Sequence, residues 1–437
     1  ARLTQPANVS YIEGVTAAQV EKMLEFVQNL LAPRANPIGV DFGSDCLRLA
    51  QVQRTDGDFK LIAAASADVP PHLRHDGESR LAFFAQNVRD LLGQGRFRGH
   101  QAILALPASM MHIQHLRLGR MEEEALKKAI VWESRGTLPI DPSQALLRHV
   151  VAGDIYHEQE SKMEVIVMAA ARQWIHQFLA TAAKARLDVI GMNVEPLALM
   201  DCFSHIYRRK SDRQATLCFV DIGSCGTRVT IARDGHILFA RVIAIGGEHL
   251  TRATADELKI AFEEAKTLRI KLAAAARVPS ALVAAHHVAS PPGQLGERRG
   301  GGDLAVAELE GDDSDDSAEA IEGAEIQSRL SEVEQACRAT VAQLVHELDL
   351  CRRYYETTFP NAPVDRLIFV GGEARQRSVC QQIARELGLA AQIGDPMCRM
   401  NRTSDVGLES GLDRRLPQPA WAVALGLSMG PPLPEKD

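Results

Sequence analysis

Two copies of one pattern, 180 residues apart, predict an internally duplicated α/β fold with an α+β segment inserted after the first copy. In each copy an apolar run ends in aspartate, a short glycine-containing turn follows, and two more strand-like runs are joined through a hairpin signal. The first copy, IGVDFGSDCLRLAQVQRTDGDFKLIAAASADV, ends its apolar run at Asp41 and turns its hairpin through Thr55-Asp56-Gly57-Asp58. The second, LCFVDIGSCGTRVTIARDGHILFARVIAIGG, ends its run at Asp221, turns through Gly223-Ser224-Cys225-Gly226-Thr227 and places its hairpin at Asp234-Gly235. The aspartate-to-hairpin spacing is 15 residues in one copy and 13 in the other, so the two units are variants of one plan.

The remaining elements follow in chain order. Residues 16–32 put Val20, Met23, Leu24, Val27, Leu30 and Leu31 at helical spacing, and Pro33 stops the helix, so 1–35 reads as an amphipathic helix and linker. Glu21 and Glu25 against Lys22 make a membrane surface its weakest docking partner. Residues 36–75 hold the opening strands of the first lobe. Between the copies come a helix near Leu81–Leu92, a strand Ala102–Leu106 and a strand ending at Leu118. A charged helix in MEEEALKKAIVWESRG, the strand MEVIVMAA and a helix from about Gln173 to Ala185 complete an inserted α+β subdomain over 76–192. Residues 193–437 hold the rest of the first lobe and the second lobe: a helix in FEEAKTLRIKLAA, a long helix from about Glu325 to Tyr355, a strand, diglycine turn and helix in RLIFVGGEARQRSVCQQIARELG, and a closing helix in WAVALGLSM.

Composition narrows the function classes. A length of 437 residues allows roughly two to four domains of about 100–200 residues. No run approaches the roughly 18 apolar residues of a membrane helix, and ARLTQPANVS lacks the order of a signal peptide, so neither a span nor export is expected. Eight cysteines (46, 202, 218, 225, 337, 351, 380, 398) form no C-x-x-C pair and no zinc spacing, which suits reduced thiols. Without a basic block there is no electrostatic case for nucleic acid. Of the net charge of -7, ten acidic residues lie between Gly301 and Glu325 with no Lys or Arg, and the other 412 residues carry +3. Low in aromatics and rich in Gly, Ser and Asp, the segment 288–325 reads as a mobile acidic insertion.

A strand ending in aspartate before a tight glycine turn gathers backbone N–H groups and a carboxylate at one point. The N–H groups suit phosphate oxygens, and the carboxylate suits a hydrated Mg²⁺ that bridges them. Two such turns facing each other clamp a polyphosphate from both sides. Other catalytic motifs are missing: no G-x-x-x-x-G-K-[ST], no H-E-x-x-H and no G-x-S-x-G. His112 and His115, three apart in a strand-like run, point to opposite faces and make a poor ligand pair.

The order VDFGSDCLR, VEPLAL, VDIGSCGTR, IFVGGEA and AVALGL resembles the five-part signature of the actin, sugar-kinase and heat-shock-chaperone ATPase superfamily. The resemblance implies a duplicated actin-like, ribonuclease H-like, two-lobed fold that binds ATP with Mg²⁺. It assigns Asp41, Gly43, Ser44 and Arg48 to the first phosphate loop, and Asp221, Gly223, Gly226 and Thr227 to the second. Asp41 and Asp221 become the metal-binding carboxylates. Gly371, Gly372 and Glu373 pass beneath the adenine and ribose, and Glu263 and Lys266 match an E-x-x-K helix that contacts the nucleoside. Glu195 falls where some relatives orient an attacking water, the one candidate catalytic residue.

Within that superfamily the chain is most similar to the PilM family, the cytoplasmic actin-like component of type IV pilus assembly, over about residues 36–430. ALPASMMHIQHLRL, the EEEALKKAIVWE helix with Leu138-Pro139-Ile140, EVIVMAAAR, DVIGMNVE, ARVIAIGGEHLT and HELDLCRRYYETTFP carry this. FtsA shares the inserted subdomain. The resemblance implies an adaptor whose partner is the N-terminal tail of a PilN-like bitopic inner-membrane protein, with pilus motor ATPases as further partners. It implies a cytoplasmic protein reaching the inner membrane through that partner. Asp45 and Cys46 in the first loop and Cys225 in the second depart from the pattern and argue against efficient turnover. Two alternatives stay open: an FtsA-like filament, and a small-molecule kinase, which usually has threonine where Ser44 stands.

Overall fold

The computed structural model describes residues 35–55, 58–74, 76–157, 160–275, 281–283, 316–400, 406, 412 and 416–430. The duplication is realised as two sheets with one strand order. In the first sheet β1 (Ile38–Phe42), β2 (Cys46–Thr55) and β3 (Asp58–Asp68) form an antiparallel meander. Helix α1 (Gly77–Gln94), capped by the Asp76 side chain on the Ser79 amide at 3.0 Å, then leads to β4 (Gln101–Leu106), which joins the far side of β1 in parallel.

The chain next leaves the sheet. β5 (His112–Gly119), α2 (Glu123–Glu133), β6 (Ala145–His157) and β7 (Glu160–Ala171) build a separate antiparallel sheet in the order β5-β7-β6 with α2 packed on it. Through α3 (Arg172–Lys184) the chain returns as β8 (Asp188–Val194), parallel to β4, completing the order β3-β2-β1-β4-β8. The range 76–192 therefore contains α1, β4 and β8 of the first lobe, and the separate sheet occupies only 112–171. Strand β6 has no counterpart in the sequence reading, because Gly153 and Asp154 interrupt its apolar pattern. Its register shifts there, and a Cβ at Gly153 would come within 3.1 Å of the Phe359 ring.

After α4 (Glu195–Ser204) and the short α5 (Lys210–Gln214), the second copy begins. β9 (Thr216–Ile222), β10 (Thr227–Arg233) and β11 (His236–Ile243) repeat the meander, with Asp234 and Gly235 both at positive φ, as a two-residue hairpin turn demands. Helices α6 (Gly247–Leu258) and α7 (Phe262–Ala275) and strand β12 (Ala281–Val283) precede α8 (Asp316–Thr358). β13 (Arg366–Val370), α9 (Arg377–Leu387), β14 (Ala390–Ile393) and α10 (Ala422–Met429) follow, giving a six-stranded sheet in the order β11-β10-β9-β13-β14-β12. The N-terminal helix expected at 16–32 and most of the acidic segment lie outside the described residues. Residues 316–325, read as part of that mobile segment, belong instead to α8. Helix α6 was not anticipated, because Gly246-Gly247 reads as a turn.

The core explains how the lobes are joined. One cluster fills each sheet's outer face, and a third lies between the sheets. That third cluster combines Val52 and Ile103 of the first sheet, Phe219 and Ile368 of the second, Leu199 and Phe203 of α4, and Val423 and Leu427 of α10. The sequence-final helix thus packs back on the first lobe: Ser428 Oγ donates to Pro37 O at 2.7 Å and accepts from the Val52 amide at 3.0 Å.

Candidate functional site

The two Asp-Gly turns face each other at the ends of β1 and β9. Phe42, one residue past Asp41, turns into the first core against Phe84 and Phe178, with ring centroids 5.0 and 6.1 Å away, and so fixes the start of the first turn. Arg80 of α1 lies 4.6 Å over the Phe42 ring and donates to Gly43 O at 3.1 Å. In the second turn the Gly223 amide bonds Gly226 O at 3.0 Å. Gly246-Gly247 packs so close behind that a Cβ on Gly246 would lie 2.5 Å from both Gly226 N and Ser224 O. The Cys225 thiol and the Ser44 hydroxyl are neighbours between the turns. The amides of Ser44, Asp45, Ser224 and Cys225 donate to no other described residue. Open N–H groups on both sides suit an anion with several oxygens, so the turns fit a polyphosphate.

At the bottom of this cleft the carboxylates converge on one guanidinium. Arg228, paired across the hairpin with Asp221, donates from Nε to Asp221 Oδ2 at 2.9 Å, while its Nη2 lies 2.8 Å from Oδ1. The same Nε is 3.2 Å from Glu195 Oε2, an ion-pair distance without hydrogen-bond alignment. Burial pushes the Glu195 carboxyl up to about 8 and Asp41 up to about 6, with Arg228 pulling each back. Burial works against the charge on Arg228 too, yet Asp221 and Glu195 hold its proton more firmly than usual. Asp41 stands opposite Arg48 in the β1–β2 register, as Asp221 stands opposite Arg228.

This arrangement bears on one expectation. The sequence assigns Mg²⁺ to Asp41 and Asp221, but Arg228 hydrogen-bonds Asp221 Oδ2 and lies 2.8 Å from Oδ1, which has no aligned hydrogen bond, while Asp41 has Arg48 opposite it in the strand register. Mg²⁺ takes one or two carboxylate oxygens, with phosphates and waters, at about 2.0–2.1 Å in octahedral order, and a guanidinium seated on Asp221 fits such a ligand poorly.

The diglycine turn closes the cleft from the second lobe. Gly371, at φ 88°, passes so near the second turn that a Cβ would fall 2.3 Å from Asp221 Oδ1, whereas Gly372 has open space at that point. Glu373 is held by Arg269 Nη2 at 2.5 Å. Arg269 is buried and also donates to Gly247 O at 3.0 Å and Thr251 Oγ1 at 2.7 Å. Of the α7 residues expected to contact a nucleoside, Glu263 is exposed and Lys266 half-buried, and neither side chain bonds the turns. Arg269, one turn further along the same face, is the α7 residue that reaches the diglycine. Thr227 is buried, and its hydroxyl donates to Ile245 O at 2.7 Å, so it braces the second turn from behind.

Two contacts tie the site to the rest of the molecule. Arg74, just after β3, pairs across the cleft with Glu248 of α6 at 3.2 Å, and Glu248 also accepts from Ser224 Oγ at 3.3 Å. On the other side, the separate sheet is seated on β11. His115 of β5 has Nδ1 2.9 Å from Glu164 Oε1 and Nε2 3.0 Å from Ala240 O, and Tyr354 of α8 donates to Glu164 at 2.7 Å. Arg117 Nε donates to the other Glu164 oxygen at 3.3 Å, so a fully buried carboxylate is satisfied by both units.

A family model described as type IV pilus assembly protein PilM matches residues 39–278, more than half of the chain. The chain belongs to the PilM family. A second family model, for cell division protein FtsA, matches residues 218–426. Among individual proteins, the cell division protein FtsA of Bacillus subtilis (strain 168) is 24% identical over 111 residues, which cover 25% of this chain and 24% of that one. The solved PilM-PilN type IV pilus biogenesis complex superposes with a TM-score of 0.65 at 19% identity, covering 91% of this chain and 98% of that chain. The likeness shows a shared two-lobed actin-like fold. The ethanolamine utilization protein EutJ from Carboxydothermus hydrogenoformans gives a TM-score of 0.48 at 16% identity, over 95% and 99% of the two chains. No helix among the described residues of this PilM-family chain is long and apolar enough to cross a membrane.

Proposed function

We propose that this PilM-family chain is a nucleotide-gated adaptor of type IV pilus assembly. It binds ATP between the turns at Asp41 and Asp221. It holds the N-terminal tail of a PilN-like bitopic membrane protein at the separate β5-β7-β6 sheet, where α2 exposes Val131 and Trp132. It works on the cytoplasmic side of the inner membrane through that partner, with pilus motor ATPases as further partners. The observation that carries the reading is the seat of the separate sheet on β11, the strand whose hairpin partner β10 opens at the second phosphate turn. Nucleotide-driven movement of that turn is passed to the tail site through a buried contact. Any difference in tail affinity between open and closed clefts couples the two ligands.

Turnover is slow or absent in this reading. A general base must be ionised near neutral pH, and Glu195, with its proton held to about 8 and Arg228 against it, is a poor one. Calorimetry of the full chain tests the proposal. ATP and the tail peptide each bind wild type, and Asp221→Ala, which removes the carboxylate that holds Arg228 in place beside the second turn and opens the floor under Gly371, weakens ATP by about tenfold or more. Unchanged ATP affinity in that variant removes the nucleotide site, and no tail binding in either nucleotide state removes the adaptor.

A further inference from the structure

Each phosphate turn carries its own arginine. Arg48 and Arg228 sit seven residues after Asp41 and Asp221, directly across their hairpins. The second pair is fixed: Arg228 spans both oxygens of Asp221 and reaches Glu195, and the three side chains are at most 18% exposed. Its guanidinium also lies on the turn itself, since a Cβ at Gly223 would be 3.0 Å from Nη2 and 3.1 Å from Nη1. The glycine that lets backbone approach a phosphate here also admits a cation. Arg80 adds a further buried guanidinium at the first turn, hydrogen-bonded to main-chain carbonyls. Asp221 and Glu195 are thus countered from within, and positive charge stands beside the second turn, where phosphate oxygens would arrive. Removing one partner from such a buried pair is strongly unfavourable, so a metal ion that binds Asp221 directly has to displace Arg228.

We propose that Arg228 is a built-in cation that takes the place of a divalent metal in this cleft, so that the cleft receives a nucleoside polyphosphate as its metal-free anion. The ligand part rests on the nucleotide reading above, whereas the exclusion of metal by Arg228 stands without it. In the bound form the guanidinium keeps Asp221 on one edge and offers its remaining N–H groups to phosphate oxygens.

Two titrations of the full chain test this. In the first, Mn²⁺ is followed by electron paramagnetic resonance without nucleotide. Wild type shows no saturable site, and Arg228→Ser, which uncovers the carboxylates, gains one that Asp221→Asn removes again. In the second, a fluorescent ATP analogue is titrated in EDTA and in excess Mg²⁺. Wild-type affinity changes by less than about threefold, and Arg228→Ser becomes dependent on Mg²⁺ by about tenfold or more. A saturable Mn²⁺ site in wild type, or a wild-type affinity that falls about tenfold in EDTA, overturns the proposal. So does a folded Arg228→Ser chain that gains no Mn²⁺ site. If the serine variant does not fold, Arg228→Lys and the wild-type arms still decide. If no nucleotide binds under either condition, the nucleotide reading fails, and the Mn²⁺ titration judges the arginine by itself.

Discussion

Glu195 is the residue on which turnover depends, and its environment can be read by titration. Its folded-state pKa is raised by burial from 4.5 to about 8, so between those values the unfolded chain gives up a proton that the folded chain keeps. Wild-type stability therefore falls through that window on account of this group. Glu195→Gln removes the effect, and relative to wild type its Tm should rise between pH 5 and pH 8.5 by roughly 1 °C for each kcal/mol relieved in a chain of 437 residues. A Tm difference that stays flat with pH contradicts a protonated Glu195. At this scale the sequence was partly legible. Asp41, Gly43, Asp221, Gly223 and Gly371 lie at the two turns and the diglycine beside them, and their part in nucleotide binding belongs to the proposal. Arg228 was passed over, although its offset from Asp221 equals that of Arg48 from Asp41, and comparing the two copies would have found it. Arg269 carries no such signal, because its role depends on how α7 packs against the diglycine turn.

Helices α4 and α10 are the elements packed together in the core between the two sheets. They cross at Gly426, where an added Cβ would lie 1.8 Å from Ala198 O and 3.1 Å from Cys202 Cβ. On its other side α10 lies on β1, and a Cβ at Gly39 would come 1.9 Å from Ala424 O. Backbone meets backbone at both places, so no side chain can yield. Gly426→Ala is expected to cost about 1–3 kcal/mol or more by overpacking, measured as a fall in the urea midpoint at unchanged slope. A loss below about 0.5 kcal/mol means that the helices separate freely and the joint is not rigid. Both helices were legible as apolar runs, VEPLAL and WAVALGLSM. Their crossing was not, because a close approach shows only as a single glycine in a run that would be helical anyway. Strand β6 and helix α6 were missed for the opposite reason, since Gly153 and Gly246-Gly247 look like breaks although the chain uses them as a bulge and a helix start.

Across the whole molecule the duplicated plan was the most legible feature, because two hairpins with one spacing reflect two sheets with one strand order. The limits of the inserted unit were not, since strands β4 and β8 are distant in sequence yet pair in the first sheet around it. What the sequence could not convey is that this unit rests on both lobes. It is covalently part of the first and seated on the second through Glu164, His115 and Tyr354. Arg74 and Glu248 span the cleft mouth, and His115 joins the separate sheet to β11, whose hairpin partner opens at the second turn. Coupling between the two sites is the central claim, and linkage makes it measurable from either side. The direct measurement is calorimetric titration of the PilN-like tail peptide into the full chain, with and without saturating ATP. The account predicts that ATP shifts the peptide dissociation constant by about fivefold or more, and that the peptide shifts ATP affinity by the same factor. Peptide affinity that is identical in both states, with both ligands bound, contradicts it.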